Sequence, residues 1–144
     1  MTRGAVKNVS ASVAARLKDL SKRRGDELQL VLGRYAAERF LYRLSVSEFA
    51  PDFVLKGAML FQLWFGEPHR ATRDLDLLGS GESTPAAVAA VVRAVIGTDV
   101  PDDGLAFDPE TVTAGPIREG AAFEGVRVTC LARLGQARIP LQVD

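Results

Sequence analysis

The chain reads as a mixed α and β fold, a mixed sheet flanked by helices and preceded by two N-terminal helices. Three observations predict it. Residues 10–44 carry apolar side chains at the three- and four-residue spacings of amphipathic helices. Residues 53–55, 74–78, 126–131 and 138–144 show instead the short apolar runs or the period-two alternation of strands. Between these strand regions lies an alanine- and valine-rich segment, 86–96, of the kind that covers a sheet face.

In chain order, the first helix is expected from about Ser10 to Arg24, with Val13, Leu17 and Leu20 on its apolar stripe, Ser10 as N-cap and Gly25 as its stop. Lys18, Lys22, Arg23 and Arg24 make its C-terminal end basic, which suits the negative end of a helix dipole and equally suits contact with a nucleic acid. A second helix should span 26–44, burying Leu28, Val31, Leu32, Tyr35, Phe40 and Leu41, with Asp26 and Glu27 at its start. Residues 45–51 form a connector, one short turn capped by Ser47 and ended by Pro51. Phe53-Val54-Leu55 is a strand that runs into Lys56-Gly57 and then an apolar helix over 58–65. After a loop at 79–84, Thr84 caps and Pro85 opens the helix through Ile96. Residues 98–104 are polar and acidic, a surface turn. Short strands are expected at 105–107 and 111–114, then at 126–131 after a Glu124-Gly125 turn, with Cys130 an inert core thiol. In the last strand, 138–144, Ile139, Leu141 and Val143 share one face, and Gln142 and Asp144 the other.

Composition bounds the reading. At 144 residues and 47 % hydrophobic the chain is ample for one core and short for two. Its formal net charge is zero but unevenly spread: residues 1–48 hold ten Lys or Arg against five Asp or Glu, and 49–144 hold eight against thirteen. The expected organisation is a basic helical segment over 1–48 packed on a core over 49–144. A basic segment beside an acidic one suits a polyanionic substrate, solvent, or an acidic partner. Cys130 is the lone cysteine, which precludes an internal disulfide. There is no signal-peptide pattern and no run of eighteen apolar residues, so a cytoplasmic location and no membrane partner are expected.

The chemistry gathers in Phe53 to Leu78. Within an otherwise apolar strand, Asp74 and Asp76 stand on one face and Leu75 and Leu77 on the other. Two like charges on one face repel, a cost that a divalent cation between them removes; hard carboxylate oxygens suit Mg2+ or Mn2+. Lys56 and Gly57 lie where a strand turns into a helix, a place where backbone N–H groups and the helix dipole can hold phosphate oxygens beside the lysine ammonium. Arg70, Thr72 and Arg73 precede the carboxylates. One arginine should point into the site as a phosphate fork and the other should pair with an acid such as Glu67. His69, the lone histidine, reads as a loop residue, and Trp64 and Phe65 as core packing.

Lys56-Gly57 ahead of an apolar helix, then Arg70-x-Thr72-x-Asp74-Leu75-Asp76, resembles the nucleotidyltransferase toxins of the AbiEii/AbiGii type, members of the DNA-polymerase-beta-like nucleotidyltransferase superfamily. Ala37 to Ser45 and Arg138 to Asp144 are similar to the same family, so the resemblance covers most of the chain in order. It implies a polymerase-beta-like nucleotidyltransferase core, in which Asp74, Asp76 and Asp144 bind two Mg2+ or Mn2+ ions and Lys56, Gly57, Arg70, Thr72 and Arg73 hold a nucleoside triphosphate. Asp74, Asp76, Asp144 and Lys56 would be the catalytic residues. Here Gly57-Ala58 departs from the Gly-Ser of the superfamily and from the Gly-Gly frequent in AbiEii-like members. Family members run on well beyond this length, so the resemblance is to their N-terminal half and the core is expected to be truncated at its C-terminus.

The expected activity is that of a toxin of a toxin–antitoxin system. It would transfer a nucleotide to an RNA acceptor, tRNA being the family precedent, with release of pyrophosphate and restraint by a cognate antitoxin. Two alternatives stay open: an enzyme of the same superfamily acting on a small molecule or protein, and a non-catalytic remnant that binds a partner.

Overall fold

The structure is a computed structural model that describes residues 8–56, 74–81, 84–117 and 125–144, leaving aside the side chains of Lys56 and Asp74. The expected helix at 58–65, with Trp64, Phe65, Glu67 and His69, lies outside these residues, as do Gly57, Arg70, Thr72, Arg73 and Glu124. In order come α1 (Val9–Arg24), α2 (Leu28–Ser45), a short 3-10 turn (Ala50–Asp52), β1 (Phe53–Lys56), β2 (Asp74–Gly79), α3 (Pro85–Ile96), β3 (Leu105–Ile117), β4 (Gly125–Leu134) and β5 (Ala137–Val143). The five strands form one mixed sheet in the order β1-β2-β5-β4-β3. Only the β2–β5 pairing among them is parallel. The mixed sheet with N-terminal helices is the architecture expected.

Alternation along the strands explains why the three helices lie on one face. Leu75 of β2, Val128, Cys130, Ala132 and Leu134 of β4, and Ile139, Leu141 and Val143 of β5 are all buried. Against the first part of this surface pack Ala37, Phe40 and Leu44 of α2 and Ala89, Val92, Val95 and Ile96 of α3. Against the hairpin end pack Val13 of α1 with Leu32 and Ala36 of α2. Phe40, 2 % exposed, meets Phe107 edge-on at 6.4 Å between ring centroids. Truncating a buried Phe of this kind costs about 3–5 kcal/mol. No described helix covers the other face, which carries the polar positions of the same strands.

Several boundaries differ from those expected, each for a local reason. Asn8, not Ser10, caps α1, its side chain accepting from Ala11 N, while Ser10 Oγ donates to Gly104 O at 2.7 Å. That contact needs a glycine: Gly104 has φ +81, and a Cβ there would lie 3.0 Å from Ser10 Cα. α2 starts two residues late because Asp26 instead faces Arg24 and Arg34, each at 3.5 Å. Pro51 sits inside the 3-10 turn rather than ending a connector. The two short strands expected at 105–107 and 111–114 are one strand, with a register shift between Asp108 and Thr113. Thr111 Oγ1 bridges the shift by donating to Asp108 O and accepting from Leu131 N. β4 continues to Leu134 and turns through Gly135, whose φ of +58 is what a two-residue hairpin loop asks of its first position. α3 and its Thr84 cap match expectation.

Residues 98–104 are the largest departure. Asp103 is not in a surface turn but 8 % exposed behind α2. Arg39 donates to its Oδ2 at 2.8 Å, and Arg43 donates to Oδ2 at 2.7 Å and Oδ1 at 3.1 Å. Tyr35 OH donates to the Asp103 carbonyl at 2.7 Å, and the Arg43 guanidinium lies over the Phe107 ring at 4.9 Å. Burial works against the ionised Asp103 carboxyl, but the Arg43 and Arg39 hydrogen bonds and the Leu105 N–H overcome it and hold the group below the ordinary aspartate range. This knot ties α2 to the start of β3, which fixes the helix layer on the sheet.

Candidate functional site

The site is a row of residues across the open face of the sheet. In the β1–β2 ladder Lys56 stands opposite Asp76. Across the parallel β2–β5 ladder, Leu75 is opposite Val143; Asp144 N donates to Leu75 O and Leu77 N donates to Asp144 O, both at 2.8 Å. Those two bonds bracket Asp76, so Asp76 and Asp144 are neighbours pointing to the same face. One position further, Val128 opposite Val143 sets Arg127 beside Asp144. Lys56, Asp76, Asp144 and Arg127 thus form one transverse row, two acids between two cations.

The adjacent row contains Asp74, Gln142, Thr129 and Thr113. The Thr113 and Thr129 hydroxyls are 2.6 Å apart and hydrogen-bonded. Backbone register therefore brings Asp74, Asp76 and Asp144 into two neighbouring rows on one face, although the carboxyl of Asp74 itself lies outside the described residues. The local cause is the strand period: Leu75, fully buried, faces the helices, which turns its neighbour Asp76 outward. On β5, buried Val143 does the same for Asp144.

Arg127 is the member of the row that sequence reading left out of the site. Its Nε donates to Asp144 Oδ1 and its Nη2 to Oδ2, both at 3.0 Å, a bidentate fork. The pair is only partly shielded, at 40 % exposure for the arginine side chain and 16 % for the aspartate. The alternation of β4 did put Arg127 on the polar face, but the sequence gives no register between β4 and β5 before the Gly135 turn is known. Asp144, expected as a third metal-binding carboxylate, has both oxygens engaged in this fork.

Among the described residues no group of three or more His, Cys, Asp or Glu is arranged to hold a metal ion. The donors that could do so are the carboxylates of Asp76 and Asp144, hard oxygens side by side on one face, which suit a cation of the Mg2+ or Mn2+ kind. Of the residues expected to hold phosphate, the structure describes only the backbone of Lys56, in line with Asp76. The basic helices fall elsewhere: α1 packs with α2 on the hairpin end of the opposite face, so the Lys22-Arg23-Arg24 end does not line the carboxylate row. Cys130 is buried, and burial pushes its thiol up to about 11, as an inert core cysteine requires. No helix among the described residues is long and apolar enough to cross a membrane.

The family model described as nucleotidyl transferase AbiEii toxin, type IV TA system, matches residues 39–144, from the middle of α2 through Asp144. Among curated proteins none matches the chain. A match over that span takes in the whole sheet, the acidic row and α3, and the chain belongs to the AbiEii nucleotidyl transferase toxin family.

Proposed function

We propose that this chain is a metal-dependent nucleotidyltransferase toxin, which moves a nucleotide from a nucleoside triphosphate to the 3′ end of an RNA, with tRNA the preferred acceptor, and is restrained by a cognate antitoxin. The observation that carries the reading is the β2–β5 register, with Asp76 and Asp144 side by side on the open face of a family member's sheet. In this reading Asp74, Asp76 and Asp144 hold Mg2+ or Mn2+, and residues 49–144 carry the chemistry while 1–48 brace the covered face. The cytoplasm is its site of action. A pair of such ions, when bound, supplies charge neutralisation at the phosphates and activation of the attacking hydroxyl.

The chain's own residues bind and orient. Lys56, with Gly57, Arg70, Thr72 and Arg73, is assigned to the triphosphate, where cations stabilise the negative charge that grows on the leaving pyrophosphate. Asp76 and Asp144 fix the acidic end of the site on hydrogen-bonded strands, so their main chain does not need to move on substrate binding. Arg127 holds the Asp144 carboxyl in one orientation and must share it for a cation to be bound there.

The reaction is tested by incubating the protein with Mg2+, tRNA and each labelled nucleoside triphosphate. Labelled RNA and pyrophosphate are expected from the wild type and not from Asp74→Ala or Asp76→Asn, with folding unchanged. Absence of product with all four triphosphates, together with growth inhibition that survives Asp76→Ala in cells, would overturn it. One observation favours a second reading, a non-catalytic binding protein: Arg127 already engages both oxygens of Asp144. Equal Mn2+ binding by wild type and Asp76→Asn would support that reading against the first.

A further inference from the structure

The open face does not end at the acidic row. Following β4 and β5 away from it, the next pair after Gln142 and Thr129 is Pro140 opposite Leu131, and the last before the turn is Arg138 opposite Arg133. All have the same strand parity as Asp144 and Arg127, so they share the open face. Pro140, Arg133 and Arg138 are exposed and Leu131 is partly so. The face is thus graded: acids with Arg127, then amide and hydroxyl, then a small apolar step, then two arginines.

The arginine pair is anomalous on stability grounds. Like charges directly opposite in an antiparallel ladder destabilise it. Neither side chain makes a hydrogen bond or ion pair with a described residue. Among the described residues the acid nearest in register on that face, Asp108, stands opposite Leu131 and accepts from Glu110 N at 3.0 Å. A bound anion would relieve the repulsion, and an arginine pair takes phosphate by its forked donors. From Arg138 to Asp144 is six residues of strand, about 20 Å, which an extended RNA strand spans in about three to four nucleotides.

We propose that the outer face of the β4–β5 hairpin is the track for the single-stranded 3′ end of the RNA acceptor. The terminal nucleotide lies at the Asp76–Asp144 row, the next bases lie over Gln142, Thr129 and the Leu131–Pro140 step, and a backbone phosphate a few nucleotides upstream lies between Arg133 and Arg138. This rests on the RNA-acceptor reading above and deepens it. It moves the polyanion surface from the basic end of α1, on the opposite face, to a hairpin whose two arginines only the strand register brings together.

Binding is measured by fluorescence anisotropy with single-stranded RNAs of two and nine nucleotides, labelled at the 5′ end, in EDTA so that transfer plays no part. Arg133→Gln/Arg138→Gln should weaken the nine-nucleotide RNA about tenfold and reduce the slope of log K against log salt by about 0.7, the value for one phosphate contact on a single strand. The dinucleotide, too short to reach the arginines from the acidic row, should bind the variant as it binds the wild type. Lys18→Gln/Lys22→Gln, on α1, should leave both RNAs unchanged, and the conservative Arg133→Lys/Arg138→Lys should keep the salt slope. Thermal melting of the glutamine variant at or above the wild-type temperature is expected, since a repulsion has been removed. Wild-type affinity and slope in the glutamine variant would overturn the track, as would equal losses for two and nine nucleotides. So would a greater loss in the α1 variant, or loss of binding to an acidic antitoxin with RNA binding intact. If no variant transfers nucleotides but the length- and arginine-dependent binding holds, the transfer reading fails and the track stands.

Discussion

Two arginine–aspartate centres lie on opposite faces of one sheet, and their difference separates a structural tie from a site. Asp103 is 7 % exposed at its side chain and Arg43 6 %, with Arg39 completing the set under α2. Asp144 is bound by the same kind of fork, but its Arg127 is 40 % exposed and its other neighbour in the row is a second acid, Asp76. A buried carboxylate whose oxygens are engaged by two arginines and the Leu105 N–H has no capacity left for a ligand. A half-open one beside another acid has both the charge and the access to bind a cation. The lesson is that the pairing alone does not mark function; exposure and the sign of the next neighbour do.

The comparison breaks first at Asp103. Asp103→Ala should cost about 3–5 kcal/mol, because it leaves the Arg43 guanidinium buried and unpaired, read as a fall in the urea midpoint at constant slope. A loss no larger than that of an exposed pair would mean the centre is not what ties α2 to β3. Next in size, Asp76→Asn should lower nucleotide transfer by about a hundredfold or more, the scale of one lost electrostatic stabiliser, with an unchanged melting temperature. Loss of activity matched by loss of folding would make Asp76 a structural residue like Asp103.

The pH dependence sharpens the contrast at Asp103. Its folded-state pKa is held below the unfolded value, so its stabilisation is fully present above the unfolded aspartate pKa of about 3.9 and is lost as pH falls through the folded value. Denaturation curves taken from pH 6 downward should therefore show a stability loss that Asp103→Asn lacks in part; parallel curves for the two proteins would contradict the assignment. The smallest effect is expected at Arg127. Arg127→Ala should change stability by about 1 kcal/mol or less, yet tighten Mn2+ binding by about threefold or more, since one screened positive charge beside Asp144 is gone. Weaker Mn2+ binding would instead show that the arginine's orienting role outweighs its repulsion.

The sequence alone was enough for the three described helices, most described strands and the side that most of their residues take, Leu28, exposed rather than buried, being an exception. Leu75 between Asp74 and Asp76, and Val143 between Gln142 and Asp144, declare their faces through the strand period, which is a local property of the backbone. The Thr84-Pro85 start of α3 and the buried Cys130 were legible for the same reason. What tertiary structure decided is which strand lies beside which, and in what register. Asp76 and Asp144 are 68 positions apart, and only the parallel β2–β5 bonds align them. The Arg127 fork, the Arg133–Arg138 pair and the Asp103 knot are likewise contacts between strands or between a loop and a helix. A stretch such as Asp102-Asp103-Gly104 looks like a solvated turn because sequence carries no record of the arginines that α2 will present to it. Faces follow from the geometry of single strands, whereas partners follow from the pairing of distant ones, and it is the partners that turn separate acids and arginines into a site.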